Sequence, residues 1–230
     1  MEDRLRLVQE VAHRWYLGAL ENAELRELLR VRLGRDPDPS AAIVDSQTTR
    51  TTGVGGTERG FDPAKKVEGR KRLLLVDTEG LVLKAKVHSA EVPDEDSIRL
   101  LFDPTRNRLG RLSHLWVEAG YQGRGRRWAE EVLGLSVEVV HKPKKPLPEH
   151  VAKRWAEEWA KEGKKVNWQR LMPPKGFRVL PRRRWVVECT FAWICHNRRM
   201  AKDYERLCAT GEAFVYAAMT RLMVRRLARA

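Results

Sequence analysis

The chain has 230 residues, 45 of them Lys or Arg against 31 Asp or Glu, for a formal net charge of +14. That length admits one full-sized domain with a small appendage, and a hydrophobic share of 42% with eight tryptophans excludes a disordered basic tail. The charge favours a polyanionic partner, since each neutralised phosphate releases counterions, and leaves ribosomal, membrane-surface and nucleic-acid-enzyme roles open.

Residues 1 to 34 repeat apolar side chains at helical spacing, Leu5, Val8, Val11 and Ala12, then Leu20, Leu25, Leu28 and Leu29. Two prolines in RDPDPS, 35 to 40, break the pattern and read as a linker. AAIVDSQ, 41 to 47, is a short apolar run reaching an Asp, the pattern of a buried strand. The glycine-rich and then basic TTGVGGTERGFDPAKKVEGRK lacks GxxxxGK[ST], so a nucleotide-cradling loop is unsupported. RLLLVDTEGLVLKAKVHSA, 72 to 90, predicts a hairpin turning at Asp77-Thr78-Glu79-Gly80. PDEDSIRLLF, 93 to 102, predicts a helix whose free amides are capped by Asp94 or Asp96.

LSHLWVEAGYQ, 112 to 122, predicts a strand ending at Glu118 and a glycine. RGRRWAEEVLGL follows as an amphipathic helix and SVEVVHK, 136 to 142, as a fifth strand. After the proline-rich break PKKPLPEH comes a helix over 151 to 163, with Trp155 and Trp159 one turn apart. A further break at MPPKG leads to FRVLPRRR, a long helix from about 185 to 202, and a last amphipathic helix with a basic face in EAFVYAAMTRLMVRRLA. No run approaches the roughly 18 apolar residues of a membrane span, and MEDRLRLVQE lacks the apolar centre of a signal peptide.

The expected fold is α/β, a mixed five-stranded sheet flanked by helices, with a hairpin at one edge and an insertion before the penultimate helix. That is the strand order of the ribonuclease H-like fold. The expected division is a short helical N-terminal segment and linker over 1–40, a catalytic domain over 41–205 with its insertion at about 143–180, and a basic C-terminal helix over 206–230. The three cysteines, Cys189, Cys195 and Cys208, are an odd number in one helical region, which predicts reduced thiols in a cytoplasm. Cys189 and His196 share a helix face, but the ligands are too few for zinc.

Three acids stand out by position. Asp45 ends the first strand, Glu118 ends the fourth, and Glu188 starts the helix after the insertion. Each has a plainer explanation: Glu188 suits a helix start through the macrodipole, and Asp45 can bond its own turn. Asp77, Asp94 and Asp96 read as turn and cap residues. Together, in a chain of +14, Asp45, Glu118 and Glu188 form a set of oxygen ligands suited to Mg²⁺ or Mn²⁺. Two such ions about 3.5–4 Å apart can serve phosphodiester transfer.

Four stretches carry a resemblance: AAIVDSQTTRTT, KKVEGRKRLLLVDTEGLVL, LWVEAGYQG and, most specifically, LPRRRWVVECTFAWICHNRRMAKDYE. From about residue 15 to the C-terminus the chain resembles the DDE transposases of bacterial insertion sequences. The resemblance implies catalytic, metal-binding roles for Asp45, Glu118 and Glu188, with Mg²⁺ or Mn²⁺ as cofactor. It implies cleavage at transposon ends, strand transfer into target DNA, at least a homodimer on DNA, and a bacterial cytoplasmic, nucleoid-associated location. The sequence departs from the family at three points: Glu118 where Asp is usual, Cys189 where Arg is common, and a short N-terminal region. Those departures keep a second expectation open, an impaired or truncated remnant that only binds DNA.

Lys65, Lys66, Arg70, Lys71 and Arg72 form one cationic cluster, Arg182, Arg183 and Arg184 another, and Arg198, Arg199 and Lys202 follow Glu188. Such runs alone read as solvated faces; beside a metal site they become candidate phosphate contacts. Trp155, Trp159 and Trp168 read as a small local core in the insertion, with stacking on an exposed base as the lesser reading.

Overall fold

The computed structural model describes residues 21–53, 55–102, 109–141, 147–172 and 185–229. A helix, α1, covers residues 21–32. Then come β1 (Ala41–Arg50), β2 (Gly60–Asp62), β3 (Val67–Val76), β4 (Val82–Ser89), α2 (Asp94–Ser97), β5 (His114–Glu118), α3 (Arg124–Leu133) and β6 (Ser136–Val140). They are followed by α4 (Glu149–Lys161), α5 (Trp168–Leu171), α6 (Trp185–Cys195) and α7 (Cys208–Leu227). Two compact units result, residues 141–181 and the remainder.

In the larger unit, β1 pairs antiparallel with β3 and parallel with β5; β3 pairs antiparallel with β4, and β5 parallel with β6. Leaving β2 aside, the spatial order is β4-β3-β1-β5-β6, the ribonuclease H-like order. The short β2 lies in the glycine-rich stretch, where the sequence predicts no strand, and pairs with the start of β3. Its three residues carry too little pattern to be read as a strand.

Side-chain alternation along the strands splits the core into two layers. Ile43, Leu74 and Val76 face α6 and α7, meeting Val187, Phe191, Ile194, Val215 and Met219, while Leu29 of α1 joins the same layer. Ala42, Val44, Leu73, Leu75, Leu115 and Val117 face the other way, toward Ile98, Tyr121 and Ala129. A sheet covered on both faces calls for an unbroken apolar run, and the LLLV segment of β3 supplies it. The hairpin after β3 turns where expected: Asp77 Oδ1 accepts the amides of Glu79 and Leu81 at 2.9 and 2.8 Å. Gly80 has φ of 78°, and a Cβ there would come within 2.7 Å of the Trp193 ring. Only glycine lets α6 dock so close to this turn.

Two helices differ from expectation. The helix over 93–102 is one α-turn followed by a 3-10 turn, Ile98–Leu101, with no side-chain cap; Asp94 bonds elsewhere. α6 stops at Cys195 rather than about 202, because Asn197 Nδ2 donates to the Ile194 carbonyl at 3.0 Å and the Trp193 carbonyl at 3.4 Å, satisfying groups at the helix end. In the smaller unit, Ala152, Ala156 and Leu171 form a core joined by Trp159, whereas Trp155 and Trp168 are exposed. Among the described residues no helix is long and apolar enough to cross a membrane.

Candidate functional site

The paired register of β1 and β5 runs to Val44 opposite Val117, so Asp45 and Glu118 are the next residues on adjacent parallel strands about 4.8 Å apart. Ile43 belongs to the layer under α6, and Trp116 packs against it. Alternation therefore directs Asp45 and Glu118 to that same face. Asp45 is buried, and its Oδ1 accepts the Ser46 amide at 2.8 Å.

Glu188 lies exposed in the first turn of α6. One flank of that helix is fixed by Thr190 Oγ1, which donates to the Gly80 carbonyl at 2.8 Å. On the other flank Cys195 Sγ lies 3.6 Å from Gln47 Oε1, on β1. Glu188 precedes Cys195 by two turns and so shares the flank turned to β1. Two turns span about 10.5 Å, and Gln47 to Asp45 is about 6.6 Å along the strand. The acids therefore stand at neighbouring levels of one helix–sheet interface. The fold brings all three to one side of the sheet but does not close them on a point: among the described residues, no three His, Cys, Asp or Glu side chains are gathered to hold a metal ion. As chemistry, three carboxylates suit a hard divalent cation.

The expected cationic surface needs correction at Arg70, Lys71 and Arg72, all buried. Arg70 Nε donates to the Glu58 carbonyl at 2.8 Å, Nη1 to that of Glu205 at 2.8 Å and Nη2 to that of Arg206 at 2.9 Å, with Asp203 3.3 Å away. Arg72 donates to the carbonyls of Met200 and Lys202 at 2.6 and 3.0 Å, and burial lowers its pKa. Lys71 Nζ bonds the Val92 carbonyl and Asp94. These cations moor the segment after α6 and the start of α2 to β3, so they are not phosphate contacts. A run of like charges gives no sign of this, because the acceptors are main-chain carbonyls far along the chain.

Lys65 and Lys66 remain exposed at the β2–β3 turn, which Asp62 organises by accepting the Ala64 and Lys65 amides at 2.9 and 3.1 Å. Arg198 and Lys202 are also exposed. Arg199 is paired with Glu205 at 2.7 Å and lies over the rings of Tyr204 and Phe214. Arg182, Arg183 and Arg184 lie outside the described residues.

With that arrangement in view, the class is settled: residues 36–223 match the transposase DDE domain model, and the chain belongs to this family. Among solved structures it is similar to the catalytic domain of Mos1 mariner transposase, with 13% identity, a TM-score of 0.30, and coverage of 89% of this chain and 88% of that one. It is also similar to the Mos1 strand transfer complex (15% identity, TM-score 0.27, 91% and 59% of the chains). A third is the Mos1 paired end complex with Mn (14% identity, TM-score 0.24, 91% and 60%). The chain thus spans about three fifths of the transposase chains in those two complexes. No curated protein matches its sequence.

Proposed function

We propose that the chain is a DNA transposase that cuts phosphodiester bonds at transposon ends and joins the freed 3′-hydroxyls to target DNA. The observation that carries this reading is the matched position of Asp45 and Glu118 on adjacent parallel strands, with Glu188 on the flank of α6 turned toward them. These three carboxylates would hold Mg²⁺ or Mn²⁺, in keeping with the divalent-metal dependence of the family. A bound ion supplies Lewis-acid stabilisation of charge on the phosphoryl oxygens and activation of an attacking oxygen. Water and then the 3′-hydroxyl are the nucleophiles, so no side chain becomes covalently attached to DNA. Lys65, Lys66, Arg198 and Lys202 supply sequence-independent phosphate contacts, with Arg182 to Arg184 as further candidates. Two ends must be handled together, so the working form on DNA is a homodimer, at the bacterial nucleoid.

A second reading has its own support. The acids are not gathered around one point, and Glu118 is one methylene longer than the family's usual Asp. On this reading the chain is an impaired remnant that binds DNA without cutting it. A strand-transfer assay on duplexes carrying the matching ends, with Mg²⁺ or Mn²⁺, separates the two. The transposase reading predicts joined products that vanish in Asp45→Asn and Glu188→Gln while DNA binding persists. Binding without products in either metal would establish the remnant.

A further inference from the structure

Asp94 touches the chain just beyond two of the proposed catalytic acids. Its Oδ1 accepts the Ser46 hydroxyl at 3.0 Å and the Lys71 ammonium at 3.0 Å, and Lys71 also donates to the Val92 carbonyl at 2.9 Å. Ser46 directly follows Asp45 and donates its own amide to that carboxylate. Asp94 Oδ2 lies against Gly120, two residues beyond Glu118; a Cβ there would meet it at 3.0 Å, tighter than an ordinary contact. Ser97 Oγ donates to the Asp94 carbonyl at 2.8 Å and fixes the turn that carries the residue. Tyr121, next to Gly120, is buried on the same side; its burial, then the nearby Asp94 and Asp45 charges, keep its phenol protonated.

This cluster occupies the face of the sheet opposite the acids. Ser46 alternates with Asp45, and Lys71 alternates with Leu74. Neither helix capping nor DNA contact accounts for it: α2 has no side-chain cap, and the Lys71 side chain is only 8% exposed.

We infer that Asp94 is a positioning residue that ties the middle of β1, at Ser46, to the turn after β5 from behind the sheet, holding Asp45 and Glu118 in step. The inference rests on the proposed active site for its consequence, but the tie itself can be measured without catalysis. Hydrogen exchange on the full chain would follow peptides covering 42–48 and 117–122, far apart in sequence, in the unaltered protein, Asp94→Ala, Ser46→Ala and Asp96→Ala. Asp94→Ala should speed exchange in the 42–48 peptide by about tenfold, the worth of the charge-assisted hydrogen bond to Ser46. In the 117–122 peptide, against which Asp94 packs at Gly120, the increase should be smaller but measurable, with β4 and α7 unchanged. Ser46→Ala, which removes one hydroxyl and serves if Asp94→Ala does not fold, should speed both peptides to a smaller extent. Asp96→Ala removes only the exposed pairing with Arg124 and should change neither.

In parallel, Mn²⁺ affinity measured by calorimetry should fall in Asp94→Ala by no more than roughly tenfold, the smallest usual cost of losing a direct partner of a ligand, because Asp94 reaches Asp45 only through Ser46. Exchange rates unchanged, or changed in one peptide only, in both Asp94→Ala and Ser46→Ala would overturn the inference. If both peptides respond but even the unaltered protein binds no Mn²⁺, the positioning tie stands and the metal-site reading fails.

Discussion

Replacing Arg70 by Met tests whether the basic run on β3 holds the fold or DNA. The substitution keeps an unbranched stem that reaches about as far as Nε and removes the guanidinium donors. Three carbonyls, those of Glu58, Glu205 and Arg206, are left without their partner, and Asp203, 5% exposed, is left without a cation 3.3 Å away. Breaking a buried pair from one side costs about 3–5 kcal/mol; the stranded carbonyls would add to this were they not near enough to the surface to regain water. For a chain of this size each kcal/mol moves Tm by about 2–4 °C, so the expected drop is roughly 6–20 °C. Circular dichroism melting gives the Tm, and fluorescence anisotropy with a duplex, well below the transition, gives DNA affinity. Arg70→Met should melt early yet bind DNA nearly as well as the parent while folded. Melting within about 2 °C of the parent, together with a large drop in DNA affinity, would show that Arg70 faces phosphate and refute the structural role.

The exposed cations should behave in the opposite way: Lys65→Ala with Lys66→Ala leaves Tm unchanged and weakens binding to any duplex. The slope of log affinity against log salt should fall by about 0.9 for each phosphate that is no longer neutralised, and an unchanged slope would mark this turn as mere solvated surface. Glu118→Asp should raise Mg²⁺-dependent strand transfer, since misplacing a catalytic group by about 1 Å can cost on the order of 100-fold. If the parent is fully active and Glu118→Asp lowers it, the site is adapted to glutamate. Burial raises the pKa of Glu212, against hydrogen bonding from the Val87 amide and attraction from Lys86. A raised carboxylate favours the folded state most below its unfolded value, about 4.3, and that contribution is lost as pH rises through the folded value. Glu212→Gln should therefore lose less stability than the parent between those conditions and neutral pH, as read by melting across a pH series; parallel curves would contradict this.

Periodicity carries local information, and what it carries is present in the fold. The apolar run of AAIVDSQ forms the buried strand β1 that its pattern suggests, and RLLLV and LVLKAKVHSA form the paired strands of the expected hairpin. α3, α4 and α7 follow helical spacing, and Asp77 with Gly80 makes the turn their chemistry suggests. Long-range partnerships were beyond reach. The Val44–Val117 register that sets Asp45 beside Glu118 joins segments 73 residues apart. Nothing near Arg70 in sequence discloses that its acceptors are the carbonyls of Glu205 and Arg206. Asp94 reads as a helix cap because local rules reward an acid there, yet Ser46 and Lys71 compete for the same carboxylate and hold it. The three acids could be nominated from sequence position and family likeness, but Asp45, expected to end its strand, stands midway along β1, which continues to Arg50; the shared face depends on the packing of α6 over β1.

A crystal soaked in Mn²⁺ tests, without reliance on DNA or turnover, whether Asp45, Glu118 and Glu188 close on a divalent cation. An anomalous difference peak is expected between Asp45 and Glu118, with Glu188 drawn in from the first turn of α6. Disappearance of that peak in Asp45→Asn should follow. No peak at saturating Mn²⁺, or peaks confined to other carboxylates, would rule out a metal site built on these three acids.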